Sequence, residues 1–590
     1  MIKTHQISIQ TLLLKSLAPS ILGVIAFFQG SEISILLFLV AFFSLRKQTS
    51  SFLKDLSAKT LILFLLIGIS FIFPFTNMQR GIIGISFILI LKCFSDKWQI
   101  STNSASKMSS ILIVFEVLYY LLSKFPQRIT QFLFYGYDNA FHFSLFRIYA
   151  TSEQFPNKLN DHWPSDFALF KSYSGGFYAV GSFLSSAITG DTEDASKLIA
   201  AYFLIVFTIF ASIFIVSILM IRSISTGINT VGSYLWILLV FVSSIGILLT
   251  NGYPPYLYAL FILLLLFTRL LQSNNLGSFL VWSSVAFHLI LISQPLVSWN
   301  LIPWFSFLFV CFSKKLFSWK LSVNEIFATF FAICLGLITV FLVKDTTRSF
   351  GISTLTAVGG VQPLTLEYWF INLFVLLILL YLTLINGKVY ISAVLVISAS
   401  APFVFLVGLT LLKTGSVGYY AIKQGYVWSY LLSLSAVLFY EIQKSQRSTI
   451  ISGSTATITT ILITASVFVS LQGATTPKVF NGAFMGTFKN VALASVGSES
   501  AWPKFGLDAN QLLYAARTAN NAKSDCLVYR RNGSFSDLGS RWLNGLSTNN
   551  ISEACFAVYW NSDALTKVEI EKRIILSGLD VKIISTQDPG

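Results

Sequence analysis

The chain has 590 residues, of which 55% are apolar and only 11% charged, and its mean hydropathy is +0.73. Soluble proteins carry about 25% charged residues, so the composition excludes a string of soluble domains and predicts a polytopic α-helical membrane protein. The net charge of +15 does not indicate nucleic-acid binding, because the region after Gly473 holds 12 Lys/Arg against 10 Asp/Glu. Most of the excess lies in short loops, as the positive-inside bias produces.

The N-terminus is predicted to be a start-transfer helix, since its apolar run lacks a small-residue cleavage pattern and further apolar segments follow at once. Segments long enough to span a bilayer occur at 8–28, 60–77, 109–124, 198–221, 231–250, 255–272, 278–294, 296–312, 325–343, 368–385, 389–412 and 449–471. Shorter ones occur at 31–45, 81–94 and 427–441. We therefore expect about 13–15 transmembrane helices within a membrane domain, residues 1–472.

Loops rich in Lys and Arg alternate along the chain with loops whose polar residues include Asp, His and Tyr. This alternation predicts a cytoplasmic N-terminus and an outer face that carries every unusual polar stretch. These stretches are the large loop 125–197, NGYPPY at 251–256, SQPL at 293–296, the loop 344–367 and the turn 413–426. Their grouping on one side favours a catalytic face.

The stretch YGYDNAFHFSLFRIY, residues 135–149, lies near the start of the large outer loop. Asp138 and His142 are four residues apart and share one face if the stretch is helical. Ionisable groups at a membrane boundary indicate function, and a low dielectric raises the pKa of a carboxyl toward the range of a general base. Asp138 is the candidate base, and His142 could relay a proton or hold a phosphate. The alternatives are a helix N-cap or solvated acid at Asp138 and a packed interfacial histidine.

The interval 161–181, DHWPSDFALFKSYSGGFYAVG, adds Asp161, Asp166 and Lys171 as candidate substrate contacts. The alternative interpretation is an amphipathic helix at the interface, which could itself wall a lipid-substrate groove. A divalent cation could bind to Asp138, Asp161 or Asp166, although no motif demands one. The cysteines form no CxxC or Cys/His cluster, so we predict no structural zinc.

The turn KTGSVGYYAIKQGY, residues 413–426, places Lys413 and Lys423 around the pair Tyr419 and Tyr420. A lysine at this depth suits the phosphate of a polyprenyl-phosphate substrate as a point-charge partner. Snorkelling of both lysines to lipid headgroups is the alternative. Positive charge on an outer face opposes the inside bias and favours binding.

Residues 473–590 differ from the rest of the chain. Short apolar runs at 526–530, 555–560 and 581–585 predict buried strands, and KVEIEKRIILSGL before the last of them predicts a helix. We expect a small extracytoplasmic α/β domain. There Cys526 and Cys555 could form a disulfide or stay two buried thiols.

The D…H pattern of YDNAFHFSLFR, with YSGGFYAVGSFL and the later YYAIK, resembles the GT-C membrane glycosyltransferases, in particular bacterial arabinofuranosyl- and mannosyltransferases of the cell envelope. The resemblance covers residues 109–430, and the chain lacks the WWDYG-type motif of oligosaccharyltransferases. It implies an enzyme of the bacterial plasma membrane that transfers a sugar from a polyprenyl phosphate to an envelope glycan on the outer face, with inversion. Asp138 takes the position of the catalytic base and Lys423 that of the basic residue at the lipid phosphate. No nucleotide cofactor is implied.

Three alternative functions are compatible with the sequence. A polysaccharide polymerase or ligase of the O-antigen type also uses a large outer loop, but usually with paired arginines. A flippase or transporter of lipid-linked glycans predicts charges at mid-membrane and an internal repeat, and Glu116 is the clearest such charge. A non-catalytic envelope scaffold would leave Asp138 replaceable.

Overall fold

The structure is a computed structural model with side chains. It describes residues 30–47, 52–94, 98–100, 102–134, 138–152, 174–190, 192, 194–224, 231–270, 276–306, 322–349, 390–446, and short pieces at 372–373, 376–377, 379, 528–529, 556–559 and 582–585.

The described part of the predicted membrane domain, residues 1–472, consists mainly of helices. Its first half contains α1 (Ser31–Ser44), α2 (Phe52–Ser70), α3 (Asn77–Phe94), α4 (Thr102–Ser123), α5 (Pro126–Phe134), α6 (Asn139–Ser152), α7 (Gly176–Thr189) and α8 (Ala195–Ile224). Its second half contains α9 (Val231–Val240), α10 (Gly246–Thr250), α11 (Pro254–Leu270), α12 (Leu276–Leu291), α13 (Pro295–Ser298), α14 (Val323–Ser349), α15 (Tyr390–Thr414) and α16 (Tyr419–Gln446). A short antiparallel ribbon joins β1 (Leu45–Lys47) to β2 (Trp98–Ile100).

Four segments of the described chain are long and apolar enough to cross a bilayer: Ser196–Ile224, Val323–Val343, Val396–Thr414 and Tyr419–Ile442. Six further apolar helices are shorter. Large apolar side chains of α4 and α14 stay exposed on the protein surface, as lipid-facing residues do when lipid is the solvent. The prediction of a helical membrane protein is therefore supported. Most predicted apolar segments in the described chain overlap a helix, although α2 begins eight residues before its predicted segment, 60–77. The first and last predicted spans, 8–28 and 449–471, lie outside the described residues.

Helix α11 is the centre of the bundle, since every one of its residues from Pro254 to Leu270 is buried. A helix that is apolar on all sides is stable only when other elements surround it. It packs against α2, α8 and α12. Tyr258 and Phe261 approach Phe64 of α2 with ring centroids 5.4 and 6.4 Å away. The N-terminus of this buried helix consequently holds the preceding turn in a defined place.

Two breaks between helices place polar residues at one end of the bundle. The first break follows α10, in a turn where Gly252 has φ +79°. Before it, the predicted span 231–250 is a continuous helix with a π-helical turn at Phe241–Ile245 between α9 and α10. After α12 the chain reverses at residues 292–294, and Pro295 begins α13, a position where proline has no backbone hydrogen bond to lose. These breaks coincide with the NGYPPY and SQPL stretches.

Three short strands, β3 (Val528–Tyr529), β4 (Phe556–Tyr559) and β5 (Lys582–Ser585), form a parallel sheet in the order β3-β4-β5. Each lies within one of the runs predicted as a strand. The helices predicted between them, together with Cys526 and Cys555, lie outside the described residues. The α/β domain therefore stays a prediction.

Candidate functional site

Asp138 stands immediately before α6, at the N-cap position. Its backbone carbonyl accepts a hydrogen bond from the backbone N–H of His142 at 3.0 Å, which is the first bond of the helix. The stretch is thus helical, which is the condition under which Asp138 and His142 were predicted to share one face. The Asp138 carboxylate, however, is bonded to residues of α16.

The carboxylate of Asp138 joins the first turn of α16 through a single oxygen. The Lys423 ammonium donates to Oδ2 of Asp138 at 3.2 Å, and the Tyr419 hydroxyl donates to the same oxygen at 2.5 Å. The Lys423 side chain is 5% exposed and that of Asp138 is 28% exposed. The ion pair is therefore buried on the lysine side and partly exposed on the carboxylate side.

Aromatic rings surround the Lys423 ammonium. The nitrogen lies 3.5 Å from the ring centroid of Tyr253 and 3.8 Å from that of Tyr419. The rings of Tyr420 and Tyr256 are farther away, at 5.5 and 5.8 Å. A cation held against ring faces gains about 0.5–2 kcal/mol per desolvated contact. We call these four residues, Tyr253, Tyr256, Tyr419 and Tyr420, the tyrosine cage.

The surroundings of Asp138 lower the pKa of its carboxyl below the ordinary value. Burial alone would raise this pKa, but the charge of Lys423 and the hydrogen bonds from Tyr419 and Lys423 outweigh burial. The expectation that a low dielectric raises the pKa of Asp138 is therefore wrong for this arrangement, because the opposite charge and two donors stabilise the carboxylate. Asp138 is ionised at neutral pH and accepts hydrogen bonds there.

The turn before α11 brings Tyr253 to the site. A Cβ on Gly252 would lie 2.6 Å from the side chain and 2.8 Å from the backbone nitrogen of Asn139, so only glycine allows this approach, and its positive φ also favours glycine. Asn139 is fixed from both sides, because its amide donates to the carbonyl of Leu133 at 2.9 Å and its Oδ1 accepts from the Tyr202 hydroxyl at 3.3 Å. The NGYPPY turn thus rests on the start of α6.

His142 lies one turn into α6, 2% exposed. Its Nδ1 is 2.5 Å from the Tyr178 hydroxyl of α7. Burial lowers the pKa of His142 to about 3, so the imidazole is neutral at physiological pH. A neutral imidazole can pass a proton but carries no charge for a phosphate, and the relay role of His142 stays a prediction.

The SQPL turn supports α7. The backbone N–H of Gly176 donates to the carbonyl of Ile292 at 2.7 Å, and a Cβ on Gly176 would meet the side chains of Ser293 and Ile292. Asn300, two turns beyond, accepts at Oδ1 from the amide of Gln424 at 3.2 Å. The SQPL turn and the start of α7, both predicted on the outer face, therefore contact each other.

His142 bonds Tyr178 as described above, and the other predicted site residues divide into three groups. Asp138, Lys423 and Tyr419 are in direct contact, and the Tyr420 ring completes their surroundings. Lys413 lies exposed in the last turn of α15 and does not join the ion pair. The residues Asp161, Asp166 and Lys171 lie outside the described part of the chain.

Two cage residues, Tyr253 and Tyr256, were not among the predicted site residues, although the NGYPPY stretch was. The sequence feature that could have identified them is the Asn-Gly turn, which directly precedes these two tyrosines. Tyr178 was not predicted either, although it lies in the interval 161–181 that was selected for Asp161, Asp166 and Lys171. Within the described residues, no group of three or more His, Cys, Asp or Glu side chains could hold a metal ion.

The arrangement offers a carboxylate that can accept a proton beside a lysine that can face an anion, both at the end of an apolar bundle. Such a pair suits a reaction in which a hydroxyl loses a proton while a negatively charged group leaves. No protein-family model, curated protein or solved structure matches this chain.

Proposed function

We propose that the protein is a membrane glycosyltransferase that moves a sugar from a polyprenyl-phosphate donor to a glycan acceptor of the cell envelope. The observation that carries this proposal is the contact between Asp138 and Lys423, which are 285 residues apart in the chain. Asp138 belongs to the large loop 125–197 and Lys423 to the turn 413–426. Glycosyl transfer from a lipid phosphate needs an acid and a lysine next to each other.

In the proposed reaction, an acceptor hydroxyl approaches the exposed side of Asp138. Its oxygen forms a bond to the anomeric carbon while the bond from that carbon to the phosphate oxygen breaks. The hydroxyl proton passes to the Asp138 carboxylate, and the polyprenyl phosphate leaves with its negative charge. Attack from the side opposite the leaving group inverts the anomeric centre.

Lys423 faces the departing phosphate in this scheme. Preorganised positive charge in a site shielded from water stabilises developing anions strongly. The tyrosine cage holds the ammonium at the depth of the first turn of α16, where a lipid phosphate would sit at the membrane boundary. Lys413 and Tyr420 then provide further contacts for the headgroup, and His142 supports the proton transfer from within α6.

The remaining parts of the proposal follow the resemblance to GT-C enzymes. The site would face outward from a bacterial plasma membrane, with the N-terminus in the cytoplasm. The C-terminal α/β domain, residues 473–590, would lie outside the cell and hold the glycan acceptor. Asp161, Asp166 and Lys171 of the large loop would contact the substrate.

Purified protein in detergent tests the proposal with a panel of polyprenyl-phosphate sugars and mixed envelope glycans. We expect transfer by the wild type and loss of transfer in Asp138→Asn, which keeps the shape but removes the basic oxygen. Lys423→Met should weaken donor binding, and Lys197→Met, at an exposed lysine outside the site, is the control. Movement of lipid-linked glycan across vesicles without transfer would replace the proposal with the flippase alternative.

A further inference from the structure

The two oxygens of the Asp138 carboxylate have different surroundings. Oδ2 accepts both the Tyr419 hydroxyl, at 2.5 Å, and the Lys423 ammonium, at 3.2 Å. Within the described part of the chain, Oδ1 has no bonding partner, and it is not among the buried polar atoms that lack one. Because the side chain is 28% exposed, Oδ1 is, among the described residues, the oxygen left without a protein donor on the partly exposed side chain.

Tyr419 is itself held in place. Its hydroxyl lies 3.3 Å from the Tyr253 hydroxyl, and the two rings meet edge to face with centroids 6.1 Å apart. Tyr253 in turn belongs to the turn that Gly252 presses against Asn139. The Tyr253 hydroxyl, just before α11, therefore contacts the Tyr419 hydroxyl, which bonds Oδ2 of Asp138. The same turn also contacts Asn139, the residue next to Asp138.

We propose that Tyr419 is a positioning residue, supported by Tyr253, which fixes Oδ2 of Asp138 so that Oδ1 is presented to the acceptor hydroxyl. This inference rests on the proposed function. It assigns Tyr419 to the base instead of the lipid phosphate, and it adds Tyr253 to the site. Lys423, one turn along the same helix, donates to the same oxygen.

The assignment has a chemical reason. A carboxylate whose plane turns freely about the Cβ–Cγ bond offers the acceptor a base of varying direction, whereas near-attack geometry must hold within a fraction of an ångström. One strong donor on Oδ2 removes this rotation. The same bond stabilises the ionised form of Asp138 and so lowers its basicity. Tyr419 therefore improves the orientation of the base while it weakens the base.

Several titratable or charged groups face Asp138. They are His142 of α6, Tyr202 of α8, Tyr253 before α11, and Tyr419, Tyr420 and Lys423 of α16. Of these, Tyr419 and Lys423 donate directly to the carboxylate. Removing the Tyr419 hydroxyl alone therefore leaves the charges in place.

The test is Tyr419→Phe in the full-length protein, with two readouts. The first, made without substrate, is the titration of Asp138 by infrared spectroscopy with carbon-13 aspartate, using Asp138→Asn to assign the band. We expect the midpoint to rise by about one pH unit, because a donor to the ionised form is lost. An unchanged midpoint overturns the inference, whatever happens to turnover.

The second readout is transfer kinetics. We expect Tyr419→Phe to lower kcat about tenfold to a hundredfold with an unchanged KM for the donor, and Tyr253→Phe to do the same more weakly. Tyr430→Phe is the control, since Tyr430 lies on the same helix but its hydroxyl bonds Ser217 at 2.7 Å. A raised donor KM with unchanged kcat would return Tyr419 to the lipid phosphate and overturn the inference. Absence of transfer in the wild type would overturn the proposed function, and the infrared midpoint would still decide whether Tyr419 holds Asp138.

Discussion

Oδ2 of Asp138 lies 3.2 Å from Nζ of Lys423, and this ion pair joins the start of α6 to the first turn of α16. Lys423 is 5% exposed, so its charge depends on the carboxylate and on the rings of Tyr253 and Tyr419. Removing one member of a buried ion pair leaves the other charge uncompensated, which costs more than the pair contributes as a whole. The contact is therefore open to a direct energetic test.

Lys423→Met should destabilise the protein by about 2–4 kcal/mol, slightly less than a fully buried pair, because Asp138 is partly exposed. The measurement is thermal or denaturant unfolding in detergent. Asp138→Asn combined with Lys423→Met should be less destabilised than the sum of the single variants. Lys413→Met, at an exposed site, should stay within about 0.5 kcal/mol of the wild type. Additive effects of the two single variants would show that the pair contributes no coupling.

Acid should destabilise the protein in two stages. The folded protein keeps His142 neutral down to about pH 3, whereas the unfolded chain takes up its proton near the ordinary value of 6.5. The contribution of His142 is therefore complete above about pH 6.5 and is lost as the pH falls toward 3. Asp138, whose pKa is lowered from 3.8, adds a further loss below that value.

This pH dependence is measured as the unfolding midpoint between about pH 8 and pH 3. His142→Gln should reduce the slope below pH 6.5 by up to one proton, or about 1.4 kcal/mol per pH unit. Asp138→Asn should change the curve mainly at the acid end. A His142→Gln curve parallel to that of the wild type would contradict the buried neutral imidazole.

Gly252→Ala should be more destabilising than Gly415→Ala. Both glycines have positive φ, +79° and +68°, but a Cβ at Gly415 would meet no heavy atom within 4 Å. Gly415→Ala should cost about 1 kcal/mol, from backbone strain alone, and Gly252→Ala should add the displacement of Asn139. Unfolding in detergent gives the two values, and equal costs would mean that the approach to α6 is not close.

Tyr178→Phe should cost about 1–2 kcal/mol, because a buried hydroxyl bonded to His142 is lost. Tyr258→Phe is the matched control. Within the described residues, the Tyr258 hydroxyl is buried without a hydrogen-bond partner, so its removal should be neutral or stabilising by up to about 1 kcal/mol. A reversed order of the two variants would show that the Tyr178 hydroxyl does not hold His142.

Hydropathy alone was enough to predict most helices of the described chain. The segment 231–250 was predicted as one span, and the π-helical turn inside it depends on packing: Phe241 meets Phe210 of α8 and Tyr430 of α16 with ring centroids 4.3 and 5.9 Å away. Periodicity in a uniformly apolar segment carries no information about such a turn. The burial of α11 on all sides could not be predicted either, because an apolar sequence fits lipid neighbours and protein neighbours equally well.

For the site, rare ionisable residues in an apolar chain were a sufficient signal to select Asp138 and Lys423. The direction of the Asp138 pKa was predicted wrongly, because the sequence showed the low dielectric but not the partner on α16. Tyr253 was missed for a related reason: one of 23 tyrosines becomes distinctive only when its ring lies 3.5 Å from an ammonium. Lys413 was selected with Lys423 by proximity in sequence, yet the turn between α15 and α16 separates their environments.

The most direct test of the account is sugar transfer from a polyprenyl-phosphate donor by the wild type and by Asp138→Asn, with binding of the donor measured on the same preparations. The account predicts transfer by the wild type and loss of turnover with retained donor binding in the variant. Equal turnover by both proteins would contradict it, because the carboxylate held by Tyr419 and Lys423 would then have no part in the chemistry.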